Sequence, residues 1–502
     1  MPSTAVLLEP AAAHLRREPA ALRARLDLRA VLPPALALLV VLTATAGGYG
    51  YHRDELYFRM LPPAWGYIDQ PPFTPLVARV VAGVVDEAWA LRLVAALVAA
   101  VAVLVVAAIT AEVGGGRGAQ ALAAWGAGFG YYPLLLGHVL FTATFDLVVW
   151  PLVLLLVIRA VLRRQGAWFL LAGLVAGASL YNKLLVLALL LAIAIGLAAA
   201  GPRRAAVWGW AAAGALIVLV VGAPNLVWQA THGLPQLRIG AALSAQNAAA
   251  VRPFVVPFLV ALLGPTLVPV CVAGFLAPFR RGRWRDLRWL PVALVAIVAL
   301  VVLMGAQLYY DLGVLTAVFA VGCVPAVEWA RTRGRRAMLV AAVAVNAAAA
   351  ALLALPVVPA SALAGTVVPA WNQAARDQLG WPALAHRVDA VDAAHGTDAV
   401  VLTRNYGEAG AIERYAPSLA GRTFSGHNAM HDAAPPPATT DVVVAVGYSM
   451  GWLRQDFAQC ETVTRLPDAD RVVSQETGAP VRVCTGRLTP ITRIWERAAW
   501  VG

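Results

Sequence analysis

Two adjacent carboxylates, Asp54 and Glu55, stand directly after the first apolar run, in a connection of residues 49 to 90. It reads Tyr51-His52-Arg53-Asp54-Glu55-Leu56-Tyr57-Phe58, and a third acid follows in Gly66-Tyr67-Ile68-Asp69-Gln70-Pro71-Pro72. A carboxylate within reach of a hydroxyl works as a general base, and a fixed cation or hydrogen-bond donor stabilises a departing anion. Later connections add an acid, a cation and two phenols: Phe145-Asp146, Asn182-Lys183 and Gln307-Leu308-Tyr309-Tyr310-Asp311. Lys183 is the single lysine in a chain with 39 basic residues, and a compact ammonium suits a narrow anion pocket better than arginine's planar fork. Each group also has an ordinary reading. Asp54 and Asp146 can cap helices, Lys183 can snorkel to water or pair with Asp146, and the tyrosines fit an interfacial belt. Their convergence on one membrane face is what argues for a site.

A different chemistry is suggested by Gly447-Tyr448-Ser449-Met450-Gly451, which follows an apolar strand as a hydrolase nucleophile elbow does. That arrangement needs an acid and then a histidine downstream, and the last of the eight histidines is His431. A small-residue turn is the better account.

The elements that must position these groups are membrane helices. Of 502 residues, 60% are hydrophobic and 13% charged, against roughly 25% charged in soluble domains, and the mean hydropathy is +0.72. A soluble enzyme is excluded. In lipid only helices and closed barrels satisfy the backbone, and these runs do not alternate as barrel strands do. Spans of the expected ~20-residue length fall near 31 to 49, 89 to 112, 119 to 137, 145 to 162, 167 to 181, 184 to 200, 206 to 223, 254 to 279, 289 to 305, 312 to 330 and 338 to 359, about eleven in all. The fifth and sixth are separated by little more than Asn182-Lys183. The net charge of +12 reports topology rather than nucleic-acid binding, because the arginines cluster in alternate connections. Arg16, Arg17, Arg23, Arg25, Arg29, Arg117, Arg159, Arg163, Arg164, Arg203 and Arg204 lie on one side, with the arginines of 280 to 288 and 331 to 336. Twenty basic residues there face seven in the opposite short connections, so the basic side is expected to be cytoplasmic. The N-terminus is then inside, the C-terminus outside, and the first span a retained anchor.

Two domains are expected: a transmembrane catalytic domain over 1-360, carrying the outer loop 49-90, and an extracytoplasmic α/β domain over 361-502. The second holds 12 arginines and 14 acids, an ordinary globular makeup. Its pattern predicts strands near 398 to 403, 441 to 446 and 480 to 484, with helices near 407 to 415 and 451 to 458. Cys271 and Cys323 fall in apolar spans as small core residues. Cys460 and Cys484 lie on the oxidising side and are expected to form a disulfide.

The Asp54-Glu55 pair, followed by Gly-Tyr-Ile-Asp-Gln-Pro-Pro, resembles glycosyltransferase family 39. That family has the GT-C fold and includes protein O-mannosyltransferases and lipid A aminoarabinose transferases. Phe145-Asp146, Asn182-Lys183 and Tyr309-Tyr310 are similar to bacterial members. The strings Asn405-Tyr406-Gly407-Glu408-Ala409-Gly410 and Ser425-Gly426-His427-Asn428 resemble the tail of a bacterial subgroup. The resemblance implies a polyprenyl-phosphate sugar donor and transfer at the outer face of the cytoplasmic membrane. It implies Asp54 as base, with Glu55 as a neighbour able to exchange roles with it. Asp69, Gln70, Asp146, Lys183, Tyr309 and Tyr310 are then substrate-binding candidates. One departure stands out: aminoarabinose transferases have a lysine where this chain has Gln70, so Lys183 is expected to supply the phosphate contact. The acceptor, a glycan, lipid or protein, is left open, as is a divalent metal; nucleic acid is not an expected partner. The rival class is a polytopic lipid or sugar transporter, but the sequence lacks paired halves with interrupted helices.

Overall fold

The computed structural model describes residues 23–395 and 399–502. Arg16 and Arg17, part of the basic cluster that sets the expected topology, lie outside the described residues. The chain forms a helical bundle followed by a small sheet domain. Among the described residues eight helices are long and apolar enough to cross a membrane: Leu28–Thr45, Ala88–Glu112, Thr142–Arg163, Ala205–Thr231, Pro235–Leu263, Gly282–Met304, Leu312–Trp329 and Arg333–Ala354. Four shorter apolar helices, Phe73–Val84, Ala167–Ser179, Val186–Ala200 and Pro265–Arg280, complete the bundle.

Two of the expected spans are interrupted. The run near 254 to 279 breaks at Gly264, whose φ of 117° is open only to glycine, and Pro265 follows it. A Cβ at Gly264 would also strike the Asn346 side chain at 1.8 Å. The run near 119 to 137 divides into Arg117–Gly128 and Tyr131–His138, where the chain turns at Gly130 against the backbone of Leu263. The runs on either side of Asn182-Lys183 are separate short helices.

Thr142–Arg163 and Leu312–Trp329 are largely buried, whereas Ala205–Thr231 and Arg333–Ala354 expose most of their surface. With lipid as apolar as leucine, helices associate by close packing at small residues. Gly274 and Gly322 show this: a Cβ on either would lie 1.9 Å from a carbonyl oxygen of the facing helix.

The C-terminal domain contains five strands: β1 (Val400–Thr403), β2 (Thr423–Ser425), β3 (Val443–Val446), β4 (Phe457–Arg465) and β5 (Pro480–Arg487). Their order is β2-β1-β3-β5-β4, parallel across β2-β1-β3 and antiparallel across β3-β5-β4. The expected helix near 451 to 458 shrinks to Met450–Leu453, because Phe457 begins β4 and turns inward to the sheet core. Cys460 and Cys484 face each other across β4 and β5 and are joined by a disulfide.

This domain is packed onto the connection after the first span. Leu56, Tyr57 and Phe58 share a core with Trp381, Leu384 and Ile412. Arg59 binds Asp86 at 2.7 Å and Glu413 at 2.9 Å, so charge ties the same surfaces together at the rim.

Candidate active site

The helix Arg53–Met60 begins at His52, whose Nδ1 accepts from the Asp54 backbone N–H at 3.1 Å. Glu55 returns the favour, its Oε2 accepting from the His52 N–H at 2.8 Å, which closes a capping box. The cap is therefore His52 and not Asp54, so the Asp54 side chain is free of that duty. Its Oδ1 accepts a hydrogen bond from the Tyr406 hydroxyl at 2.8 Å. Its Oδ2 lies 4.0 Å from His52 Nδ1, and the side chain keeps 28% of its surface exposed.

Glu55 has the opposite fate, which corrects its expected exchange with Asp54. Its side chain is wholly buried and paired with an equally buried Arg92 at 3.1 Å. Oε1 accepts from Arg92 Nε and from the Leu140 N–H, and Oε2 accepts from Arg92 Nη2 and the His52 N–H. Arg92 spends its remaining donors on the carbonyls of Ala46, Gly48 and Gly50 and on Gln378. With four donors and no exposed surface, Glu55 has no lone pair for an acceptor hydroxyl. It is a structural anchor of the loop.

Asp69 returns to the same place. Its Oδ2 accepts from the Tyr57 hydroxyl at 3.0 Å and from Asn428 Nδ2 at 3.3 Å, while its Oδ1 is buried without a partner. Burial pushes the carboxyl up to about 7. Gln70 is buried, and its Nε2 has no partner.

A second wall comes from three other connections. Asn182 Nδ2 donates to the Thr142 carbonyl and Asn182 Oδ1 accepts from Thr74, which fixes the turn between Ala167–Ser179 and Val186–Ala200 against two other helices. The Phe73 N–H binds the Tyr181 carbonyl, and Phe73 meets Phe145 edge-on at 4.9 Å. These ties place Lys183 beside Asp146, with Nζ to Oδ2 at 3.9 Å, and leave Asp146 Oδ1 buried and unpartnered. The ammonium lies 4.5 Å from the Tyr310 ring centre and 5.5 Å from that of Tyr309. Tyr309 stacks on Tyr132 and meets Tyr310 at right angles. Burial raises the Tyr309 phenol, and both Asp146 and Asp54 are near enough to add to that effect. The two walls therefore face one site. Behind it an apolar cavity runs from Asp146, Tyr309 and Tyr310 inward past Leu147, Val103 and Val106.

The site thus offers an accessible carboxylate, a fixed ammonium among phenols, buried acids with open valences and an apolar recess. Among the described residues no group of three or more histidine, cysteine, aspartate or glutamate side chains is arranged to hold a metal ion. Ser449 lies outside the site and is a helix cap: its Oγ accepts from the Trp452 N–H at 3.2 Å. Residue types and spacing give no role to Tyr406 and Asn428, which reach Asp54 and Asp69 from the far end of the chain; the only signal for them is the family-like tail strings that contain them.

Residues 69–228 match the family model described as dolichyl-phosphate-mannose-protein mannosyltransferase. The matched segment includes Asp69, Gln70, Asp146 and Lys183, and starts after Asp54. The search of curated proteins returns no match. Among solved structures, the fold is similar to that of ArnT from Cupriavidus metallidurans bound to undecaprenyl phosphate, with a TM-score of 0.58, 14% identity, and coverage of 91% of this chain and 98% of that one. The apo form of the same protein gives 0.58 at 15% identity, covering 90% and 97%. The arabinofuranosyltransferase AftD from Mycobacteria gives 0.52 at 13% identity, covering 93% of this chain and 40% of its own. The chain has the GT-C glycosyltransferase fold, as the loop motifs led one to expect.

Proposed function

We propose that this protein is a membrane glycosyltransferase that moves a sugar from a polyprenyl-phosphate donor to an acceptor hydroxyl at the outer face of the cytoplasmic membrane. The observation that carries the reading is a partly exposed Asp54, free of capping duty, on one wall, and the chain's single lysine held beside Asp146 and two tyrosines on the other, with Tyr309 near enough to feel the Asp54 charge. In the reaction Asp54 takes the proton of the acceptor hydroxyl, whose oxygen bonds to the anomeric carbon. The bond from that carbon to the phosphate oxygen breaks with its electron pair, and polyprenyl phosphate departs as an anion. Lys183 sits where it can offset that charge, with the apolar recess behind it. Lipid-linked donors are the appropriate source at this face, because nucleotide sugars are cytosolic. The arginine distribution supports the orientation.

The test uses purified protein in nanodiscs with radiolabelled polyprenyl-phosphoryl mannose, glucose and arabinose, each offered to envelope extracts. Sugar transfer that requires Asp54 supports the reading. Counterflow of a labelled donor across proteoliposomes, with no transfer from any donor, overturns it in favour of transport.

A further inference from the structure

Two acids of the first loop, Asp54 and Asp69, are met by groups from the C-terminal domain that come one from each of its two family-like strings. Tyr406 donates to Asp54 at 2.8 Å, and Asn428 donates to Asp69 at 3.3 Å. Neither contact is incidental to a loose surface. Tyr406 is the first residue of the helix Tyr406–Tyr415, whose start is fixed by reciprocal bonds between Asn405 and Glu408. Its N–H donates to His427 Nδ1 at 3.3 Å. Burial lowers His427 to about 3, so the ring stays neutral and Nδ1 remains an acceptor.

The Tyr406 ring belongs to a continuous stack that crosses the junction of the two domains. It lies 4.5 Å from Tyr57 of the loop and 4.5 Å from His427, which lies 3.7 Å from Trp500. The Arg53 guanidinium stands 4.8 Å from the same ring centre. Held in this way, the phenol has little freedom except at its hydroxyl. Burial raises its pKa well above the ordinary value, so it remains a donor at working pH.

We propose that Tyr406 is a positioning residue for Asp54, so that the C-terminal domain completes the active site by aiming the base. This rests on Asp54 being the base. A phenol donating to Oδ1 fixes the carboxylate plane and leaves Oδ2 for the acceptor hydroxyl, a charge-assisted arrangement. The other ionisable groups around Asp54 are His52, Arg53, Asp69 and Tyr309.

Tyr406→Phe removes the hydroxyl and preserves the stack, and Tyr415→Phe removes a phenol of the same helix away from the site. With the labelled donor that reports transfer, Tyr406→Phe is expected to lower kcat about 10- to 100-fold with the donor KM changed less than about twofold, below the roughly 10²- to 10⁴-fold that the proton transfer itself is worth. The acid limb of its rate profile should move to higher pH, because a carboxylate that loses a donor holds its proton more tightly. Tyr415→Phe should leave both unchanged. An infrared titration of the Asp54 carboxyl band, assigned by difference from Asp54→Asn, gives a readout without turnover, and its midpoint should rise in Tyr406→Phe. An unshifted midpoint overturns the proposal. So does an unchanged kcat and pH profile in Tyr406→Phe when Asp54→Asn is inactive, which leaves the base reading intact. Full turnover in Asp54→Asn instead overturns the base reading itself.

Discussion

The two ends of the helical bundle treat their carboxylates differently. At the arginine-rich end, Glu112 is 3% exposed and is met by Arg163 at 2.5 Å, Arg159 at 3.3 Å and Arg23 at 3.6 Å. Arg159 and Arg163 in turn lie over Trp168. At the opposite end, Asp54 has one hydroxyl donor, and Asp69 and Asp146 each keep a buried oxygen without a partner. Glu55 belongs to this second end in position and to the first in kind. A carboxylate whose valences are filled by cations holds structure together, whereas one left short of donors in a cavity is available to substrate. Saturation, more than proximity to the site, separates the two roles.

The sharpest break of that contrast is at adjacent residues. Asp54→Asn should fold normally and lose turnover by roughly 10²- to 10⁴-fold, the usual worth of a general base. Single-turnover assays in nanodiscs check it. Glu55→Gln, one residue on, should instead show its effect in stability. Removing one partner of a buried ion pair costs about 3–5 kcal/mol, so thermal unfolding should move down sharply while the folded fraction retains far more turnover than Asp54→Asn. Glu112→Gln should be milder, about 1–2 kcal/mol, because its arginines are partly solvated, and its turnover should stay normal. Equal losses of turnover in the Glu55 and Asp54 variants would dissolve the distinction.

Next in size is the cation of the site. Lys183→Ala should weaken donor use about tenfold, or about 1.4 kcal/mol, with the loss in KM for the polyprenyl-phosphoryl sugar. Binding of undecaprenyl phosphate by the same variant checks the assignment directly. A folded variant with unchanged donor affinity and turnover would reduce Lys183 to an ion-pair partner of Asp146.

What the sequence makes legible follows from the range of the forces involved. Apolar runs report lipid burial locally, so the bundle is readable from them, while the break at Gly264 depends on Asn346 and is not. Strands β2 and β4 escape notice because one is three residues long and the other is exposed along most of its length and lacks a regular apolar alternation. Asp54, Asp69, Asp146, Lys183, Tyr309 and Tyr310 stand out because polar groups beside apolar runs are costly without a task. Asp54 and Glu55 are indistinguishable as neighbours on a loop, since their separation is made by Arg92. That arginine inside an apolar run was itself a signal that a buried acid was needed. Tyr406 lies 352 residues from Asp54, and no local pattern spans that distance.

The smallest expected effect concerns Asp69, where an unsaturated acid should reveal itself through pH. Burial holds its carboxyl at about 7 against an ordinary 3.8. Between those values the unfolded chain has released a proton that the folded protein keeps, so stability falls as pH rises from about 4 to about 7. Glu408, raised by burial to about 8, tilts the curve the same way, and His427, lowered to about 3, opposes it below its ordinary 6.5. The useful quantity is therefore the difference between wild type and Asp69→Asn, in which the other two contributions cancel. Asparagine still accepts from Tyr57 and carries no titrating proton, so the variant should lose less thermal stability than wild type between pH 5 and pH 8. A gap of a few degrees at most is expected, given roughly 2–4 °C per kcal/mol for 150–250 residues and less for a longer chain. Parallel curves would mean that Asp69 is ionised throughout, with a donor satisfying Oδ1, and would move it to the saturated class beside Glu55 and Glu112.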